Sequence, residues 1–308
     1  MLAVAHRPPD ADGVGSLLAL TRALRALGKH VDPVCVEALE PGLASLPGAG
    51  DVRAGLPARA RWDVAVLLDC ATLERAGLAD DVLARAGGIL NVDHHVTNPG
   101  FGDLALVDPM APATAALVVD LFDALGVALA PGDATCLYAG LLTDTERFTA
   151  DGVTDRTHLL AARLLAAGAN ATGVATAMYA TRPLGTVRLV ARALTVLRTS
   201  AGGRVAWIEL RPRDFERAGV DPVGSEDLAP LALGVEGVWT AAYLRPTADG
   251  QVRAGLRSRH PCVDVSAVAS AFGGGGHRHA AGCVLPPGRA GVRRIVAALE
   301  EAVARDQF

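Results

Sequence analysis

The sequence is poor in aromatic residues, with 3 Trp, 3 Tyr and 6 Phe among 308 residues. Proteins that hold long single strands of nucleic acid line a channel with aromatic side chains on which the bases stack. We identify no added module with a basic, aromatic-bearing channel of this kind in the sequence. Its cores are instead predicted to be aliphatic and rich in helices, because Ala, Val, Leu and Gly are abundant.

The chain also has no excess of positive charge. Its 29 Lys and Arg residues face 33 Asp and Glu residues, which gives a formal net charge of −4. Affinity for long nucleic acid comes largely from Lys and Arg contacts to phosphates and normally appears as a basic domain or stripe. We therefore expect no stable complex with long nucleic acid, although a locally basic pocket is compatible with this balance.

Paired cysteines and long apolar runs are absent as well. The five cysteines are scattered and form no CxxC pair, which argues against a disulfide framework and against a thiolate zinc site. No stretch reaches the roughly 18 uncharged apolar residues of a membrane span, and the apolar start of the chain is too short for the core of a signal peptide. The sequence thus predicts a soluble, cytoplasmic protein with no membrane partner.

Three apolar runs in the first part of the chain each end in acidic or imidazole side chains. The runs and their followers are residues 2–5 with His6, residues 62–68 with Asp69, and residues 88–92 with Asp93-His94-His95. Apolar runs without alternation are typical of buried parallel strands, whose carboxyl ends deliver polar groups to the ligand crevice of an open sheet. Helical patterns at residues 16–27 and 73–86 separate the runs, so the sequence predicts an α/β fold with a parallel sheet.

Further acidic residues stand close to these strand ends. Asp10 and Asp12 lie in the loop after His6, which is rich in Pro and Gly. Asp144 comes directly after the apolar stretch 136–143. Each acid by itself is explained as a helix cap, but several of them with imidazoles at the ends of separate elements indicate a metal site. Such a mixed ligand set suits Mn²⁺, Zn²⁺ or Fe²⁺ better than a plain Ca²⁺ cage.

The last third of the chain has a different pattern. Three strands and a helix are predicted there, at residues 204–210, 238–245, 251–257 and 263–272. Four glycines, 273–276, then lead into His277. A flexible linker is one interpretation of this run. Its place between a helix and an apolar segment favours a loop whose backbone amides approach an anion, with Arg257 and Ser258 as further donors.

The length of the chain is sufficient for two domains of ordinary size. A break at Pro183, a helical pattern and the segment Ser200-Ala201-Gly202-Gly203 indicate a connector between them. The predicted organisation is a first domain at 1–184, a helical linker at 185–203 and a second domain at 204–308.

In order and spacing, these motifs resemble the DHH phosphoesterase superfamily, and the glycine run followed by Ala280-Ala281-Gly282 resembles its DHHA1 subgroup. The resemblance covers essentially the whole chain. It implies an N-terminal parallel-sheet DHH domain with flanking helices and a smaller C-terminal α/β DHHA1 domain, facing each other across a cleft. It further implies two Mn²⁺ ions in the first domain, with Mg²⁺ or Co²⁺ as possible substitutes.

The resemblance also implies roles for the motif residues, which divide into two ion sites, two supporting residues and a substrate site. One ion would be held by His6, Asp10 and Asp69, and the other by Asp12, Asp69, His94 and Asp144. Asp93 would orient the ligands, and His95 would face the scissile phosphate. The phosphate or nucleotide would be held by Arg257, Ser258, Gly275, Gly276 and His277. One departure is visible, because Glu146 stands where relatives often have Gly in an Asp-Thr-Gly-x-Phe segment.

Within the superfamily the chain looks like the bifunctional group that hydrolyses very short RNA (nanoRNA) and removes a phosphate from the 3′,5′-bisphosphate nucleotide pAp. Two ions in such a site lower the pKa of a water molecule and direct it at phosphorus, so that no protein nucleophile is needed. The main alternative is a phosphodiesterase for cyclic dinucleotides such as c-di-AMP or for pApA. A single-strand DNA exonuclease and a non-catalytic nucleotide-binding module fit less well, and a homodimer is compatible with the family analogy.

Overall fold

A computed structural model describes residues 1–56, 61–78, 84–222, 225 and 227–305. The described chain divides into two compact units, Met1–Thr181 and Arg182–Phe308. Each unit has its own sheet and its own hydrophobic core. Within these described ranges no single helix is long and apolar enough to cross a membrane, and only the bent pair Asp155–Ala166 with Ala171–Ala180 passes that test jointly.

The first unit is built on parallel strands. They are β1 (Leu2–Ala5), β2 (Asp32–Val34), β3 (Ala65–Leu68), β4 (Ile89–Asp93) and β5 (Leu104–Val107). Their order across the sheet is β2-β1-β3-β4-β5, and every neighbouring pair is parallel. The strands that lead to predicted ligands, β1, β3 and β4, are adjacent, so their carboxyl ends meet at one edge of the sheet. The predicted α/β class with a parallel N-terminal sheet is confirmed.

Helices cover the sheet because its strands are apolar on both faces. The helices described in this unit are α1 (Ala11–Ala26), α2 (Pro41–Ala44), α3 (Thr114–Leu125), α4 (Pro131–Asp144), α5 (Asp155–Ala166) and α6 (Ala171–Ala175). Ala3 and Ala5 of β1 pack into the core with α1, α3 and α4, whereas Leu2 and Val4 belong to a separate apolar cluster. Successive side chains of a strand point to opposite faces, so this division explains why the run does not alternate.

The helix predicted for residues 73–86 is described only in part. Leu73–Ala76 forms a turn of 3₁₀ helix, and residues 79–83 lie outside the described residues. The connection from Asp69 to β4 therefore begins with a tight turn rather than with a regular α-helix.

Glycine allows α1 and α4 to pack at backbone distance. A Cβ atom on Gly15 of α1 would lie 2.3 Å from the carbonyl oxygen of Cys136 in α4, which no side chain tolerates. This close approach brings the first turn of α1, which carries Asp12, next to α4, which ends at Asp144.

The second unit contains a mixed sheet. Its strands are β6 (Arg198–Ser200), β7 (Val205–Glu209), β8 (Thr240–Pro246), β9 (Val252–Ser258), β10 (Gly275–His277) and β11 (Ala280–Leu285). Their order is β10-β11-β9-β8-β7-β6, with β7 and β8 parallel and the other neighbours antiparallel. The predicted hairpin is present as β8 and β9.

The helices of the second unit extend further toward the N-terminus than the predicted second domain. They are α7 (Leu184–Val196), α8 (Pro212–Ala218), α9 (Ala229–Leu233), α10 (Val265–Ser270) and α11 (Arg289–Ala304). Residues 185–203, predicted to be a linker, contain most of α7 and all of β6. Leu189 and Ala193 of α7 are buried in an apolar cluster with β7 and β8, because the amphipathic face of this helix packs on the sheet of this unit.

The glycine run forms part of a hairpin between β10 and β11. Gly276 has a φ of 144°, and a Cβ atom there would lie 2.5 Å from the Cα atom of Ala281. A Cβ atom on Gly274 would lie 2.2 Å from the carbonyl oxygen of Gly282. These two glycines are therefore required by the close approach of the strands, whereas a Cβ atom on Gly275 would meet nothing within 4 Å.

Candidate metal centre

The residues predicted to bind metal come together at the carboxyl edge of the parallel sheet. They follow the ends of β1, β3 and β4 or lie near the start of α1 and at the end of α4. Three groups offer ligand atoms within 4.8 Å of one another: His6, Asp10 and Asp69; Asp12, His94 and Asp144; and Asp69, His94 and His95. Asp69 and His94 each belong to two of these groups, so the site is continuous.

His6 points a buried nitrogen at two carboxylates. Its Nε2 lies 3.1 Å from Asp10 Oδ2 and 3.1 Å from Asp69 Oδ2, and within the described part of the chain it has no hydrogen-bond partner of suitable geometry. Burial by itself would lower the pKa of His6, but the two carboxylates outweigh it and raise that pKa to about 10. An imidazole nitrogen and two carboxylate oxygens that converge at this distance form a donor set that fits a divalent cation once the nitrogen has lost its proton.

Asp12 is buried and held by the backbone at the start of α3. Its two oxygens accept hydrogen bonds from the N–H groups of Thr114, at 2.6 Å, and Ala115, at 2.8 Å. Burial, with added repulsion from Asp69 and Asp144, raises the pKa of Asp12 well above its usual value. Several carboxylates held this close repel one another, and a cation between them removes the repulsion.

Glycine makes room for two of these side chains. A Cβ atom on Gly140 of α4 would lie 2.6 Å from Asp12 Oδ1 and 2.9 Å from Asp12 Cα. A Cβ atom on Gly13 would lie 2.9 Å from Cδ2 of His6. The helices can approach the ligands this closely only because both positions lack a side chain.

His94 is oriented by a backbone carbonyl. Its Nδ1 lies 3.2 Å from the carbonyl oxygen of Ala111, to which we assign it as donor, so that Nε2 carries the lone pair. That Nε2 is 3.2 Å from Asp144 Oδ2 and 3.7 Å from Asp69 Oδ1. Burial raises the pKa of Asp144 to about 6, although the neighbouring His94 acts in the opposite direction.

Asp69 lies between the groups in a left-handed backbone conformation. Its φ is 59°, which is unfavourable for a residue other than Gly and is found most often at functional sites. Two hydrogen bonds hold it there: its N–H donates to the carbonyl oxygen of Val92, and its Oδ1 accepts from Thr114 Oγ1, both at 2.9 Å. Oδ2 remains directed at His6.

Asp93 and His95 form a separate pair beside the ligands. Asp93 Oδ1 is 2.7 Å from His95 Nδ1, and Asp93 Oδ2 accepts from Asn98 Nδ2 at 2.6 Å. The hydrogen bond to Asp93 raises the pKa of His95 despite partial burial. Burial would raise the pKa of Asp93, but the contacts with His95 and Asn98 lower it. Asp93 thus holds the His95 ring in a fixed direction.

Three neighbours of the site were not found from the sequence. Asn98 supports Asp93 and had a local signal, because it follows His95 by three residues. Thr114 binds Asp69 and Asp12 from the start of α3 and had no local signal, since its partners are distant in the chain. Arg75 also had none; its Nη2 lies 3.0 Å from His6 Nδ1, on the side of the ring away from the carboxylates.

Glu146 lies just beyond the site in a strained turn. Glu146, Arg147 and Phe148 have consecutive positive φ values of 49°, 65° and 65°. This left-handed turn follows the end of α4 directly, and the Glu146 side chain is exposed. The departure noted in the sequence therefore lies two residues beyond Asp144 and leaves the ligand groups unchanged.

The residues predicted to bind substrate lie in the second unit. Arg257 is paired with Ala280, and Ala280 with His277, in the register of β9, β11 and β10, so Arg257 and His277 share one face of the sheet. Ser258 is buried, and its Oγ is within 3.4 Å of the carbonyl oxygens of Trp239 and His260. Its hydroxyl therefore makes hydrogen bonds to the backbone at the end of β9.

Comparison with known families gives one match to the first unit. The family model described as "DHH family, N-terminal domain" matches residues 1–141 of this chain. These residues include His6, Asp10, Asp12, Asp69 and the Asp93-His94-His95 tripeptide.

Two relatives carry the same name, "Bifunctional oligoribonuclease and PAP phosphatase NrnA". The protein from Thermus thermophilus is 36% identical over 283 residues, which cover 91% of this chain and 82% of the relative. The protein from Bacillus subtilis is 25% identical over 283 residues, which cover 91% of this chain and 87% of the relative. Both matches extend across the two units.

A solved structure has a similar fold over the same extent. It is described as an exopolyphosphatase-related protein from Bacteroides fragilis and superposes with a TM-score of 0.87 at 25% identity. The superposition covers 97% of this chain and 91% of the other. The fold is thus shared with a protein of limited sequence identity.

Proposed function

The chain belongs to the DHH family and is a metal-dependent phosphoester hydrolase, and we propose that it is a cytoplasmic Mn²⁺ enzyme acting on short oligoribonucleotides and on pAp. The observation that carries this proposal is the convergence of three ligand groups on Asp69 and His94 at one edge of the sheet. The relatives from Thermus thermophilus and Bacillus subtilis, whose name gives both activities, support the choice of substrates.

The proposed metal centre uses two ion sites that share Asp69. One site comprises His6, Asp10 and Asp69, and the other comprises Asp12, Asp69, His94 and Asp144. When bound, two divalent ions supply an activated water molecule and stabilise negative charge on the phosphate oxygens. Carboxylates with imidazoles suit Mn²⁺, with Mg²⁺ or Co²⁺ as substitutes.

The chain's own residues orient and protonate the substrate. Asp93 accepts a hydrogen bond from the Nδ1–H of His95, which leaves His95 Nε2 free to donate a proton to a phosphate or leaving-group oxygen. The hydrogen bond to Asp93 raises the pKa of His95, which favours the doubly protonated state. Asn98 holds the second oxygen of Asp93, so the pair keeps its direction through the reaction.

The proposed preference for small substrates follows from charge and composition. A net charge of −4 and few aromatic residues do not provide the extended basic and stacking surface that long strands need. Arg257 and His277 on one face of the second unit provide donors for a single phosphate or a short nucleotide. Very short RNA (nanoRNA), pAp, pApA and cyclic dinucleotides are all small enough to bind in this way.

The test is a side-by-side assay of purified protein with Mn²⁺, Mg²⁺ or Co²⁺. Its substrates are pAp, RNA of two to five nucleotides, a 24-nucleotide RNA, pApA and c-di-AMP, with the Asp69→Ala variant as blank. We expect Mn²⁺-dependent release of phosphate from pAp and of mononucleotides from the short RNA, with far less product from the long one. If only c-di-AMP and pApA are hydrolysed, the proposed substrates are wrong. If the folded protein hydrolyses none of these compounds, the proposed enzymatic activity is refuted.

A further inference from the structure

In the second unit, Arg257 makes an ion pair that no motif of the sequence indicates. Its Nη2 lies 2.5 Å from Oδ2 of Asp227. The two residues are 30 positions apart, and Asp227 belongs to neither the glycine run nor strand β9. Both side chains are partly exposed, Arg257 at 32% and Asp227 at 36%, so the pair is open to a solute from one side.

Asp227 is itself held in place by the start of α9. Its Oδ1 accepts a hydrogen bond from the N–H of Ala229 at 2.9 Å. The same oxygen would lie 3.6 Å from a Cβ atom placed on Gly255, so the carboxylate sits close to the strand two residues before Arg257. One oxygen therefore anchors Asp227, and the other receives the guanidinium.

Arg257 has a second fixed contact on its own strand. Its Nη1 lies 3.0 Å from the carbonyl oxygen of Leu256. A guanidinium presents five N–H donors in a planar fork, and among the residues that the structure describes these two contacts leave others available to an anion. The direction of the remaining donors is set by Asp227, because a free arginine side chain samples many rotamers.

Resting on the proposed function, we propose that Asp227 is a positioning residue that orients Arg257 toward a phosphate of the substrate. Asp227 touches the substrate only through Arg257. Without it, Arg257 loses the partner that fixes its fork, and each binding event has to order the side chain anew. The expected consequence is weaker substrate binding at an unchanged rate of the chemical step.

The test uses Asp227→Asn, which keeps an oxygen for the N–H of Ala229 but removes the charge that holds Arg257. We expect KM for pAp to rise about tenfold, in the range of a lost charged hydrogen bond, with kcat within about twofold of the parent. The melting temperature and the Mn²⁺ affinity should not change, since the cap at α9 and the metal ligands remain. Asp249→Asn, an exposed acid in the loop between β8 and β9, is the matched control and should have no effect.

A double variant shows whether the effect runs through Arg257. In an Arg257→Ala background, Asp227→Asn should change KM by less than about twofold, because the residue it orients is gone. An Asp227→Asn effect that persists in this background, or a KM that falls or stays constant in the single variant, would overturn the proposal.

Binding of pAp in EDTA, measured by calorimetry, separates this inference from the proposed function. The dissociation constant for pAp should rise about tenfold in Asp227→Asn under these conditions, even if no substrate is turned over. If no substrate is turned over but pAp still binds the parent more tightly than it binds Asp227→Asn, only the proposed function is refuted. Equal binding of pAp to parent and variant would refute the role of Asp227 alone.

Discussion

The candidate metal centre of the first unit and the Arg257–His277 face of the second differ in how their side chains are supported. In the first unit, Asp12 and Asp69 are buried and accept hydrogen bonds from the start of α3. In the second, Arg257 is partly exposed and His277 is exposed. Buried carboxylates repel one another unless a cation lies between them, whereas exposed donors make contacts that solvent weakens. The first region should therefore decide whether chemistry occurs and the second how tightly substrate binds.

The largest effect on activity is expected when the carboxylate of Asp69, which both proposed ion sites share, is removed. Asp69→Ala should lower kcat by about 10³-fold or more, as the loss of one member of a catalytic unit does. Asp63→Ala, which changes an exposed acid before the same strand, is the control and should retain the rate of the parent. Near-normal turnover of pAp by a folded Asp69→Ala protein would show that the two ion sites are wrongly assigned.

A methyl group on α4 should disturb the centre without removing a ligand. Gly140→Ala places a Cβ atom 2.6 Å from Asp12 Oδ1, so α4 or Asp12 must shift. We expect kcat to fall about 10²-fold and stability to fall by about 1–3 kcal/mol, the usual cost of overpacking. Gly132→Ala in the same helix is the control, because its Cβ atom would be 3.5 Å from Pro47. Equal activity of the two variants would argue against this contact.

Loss of a single hydrogen bond should weaken metal binding. Thr114→Val keeps the shape of the side chain but removes the hydroxyl that donates to Asp69 Oδ1. Supporting contacts of this kind are worth about 10–100-fold in metal affinity. Mn²⁺ titration by calorimetry should show that weakening in Thr114→Val and little of it in Thr114→Ser. Identical affinities in parent and Thr114→Val would mean that Asp69 is oriented by its backbone alone.

The charge of the centre should make its metal affinity depend on pH. Without a bound cation, the pKa of Asp144 is about 6 and that of His6 about 10, and each group must lose its proton to bind a cation. Acidification therefore favours the protonated, non-binding forms. The Mn²⁺ affinity should fall at least about tenfold from pH 7 to pH 5, which calorimetry at both values measures directly. A constant affinity over this range would contradict the ligand assignment.

The smallest effect on activity is expected from a substitution at the partly exposed Arg257 of the second unit. Arg257→Ala should raise KM for pAp about tenfold and leave kcat within about threefold, because the proposed role of Arg257 is to donate hydrogen bonds to the substrate and not to bind metal. Arg253→Ala, an exposed residue on the same strand, is the control. A large fall in kcat with an unchanged KM would place Arg257 in the chemical step and end the division between the two regions.

The sequence by itself determined the class of the fold and the residue types of the site. Buried parallel strands are apolar along their whole length, so β1, β3 and β4 could be predicted from short runs without any partner. The Asp and His residues that follow these strands can be recognised as possible metal ligands from the sequence alone. The carboxyl ends of adjacent parallel strands meet at one edge of the sheet. His6, Asp69 and His94 could therefore be placed together before any distance was known.

Only the tertiary structure decided how those residues are supported. Thr114 meets Asp69 across 45 positions of the chain and Asp12 across 102, and no local pattern encodes such a contact. The room that Gly140 leaves for Asp12 has the same cause, since it depends on how closely two helices pack. The pairing of Asp227 with Arg257 likewise depends on the fold of a separate sheet. Residue chemistry is local, but orientation comes from packing between distant segments.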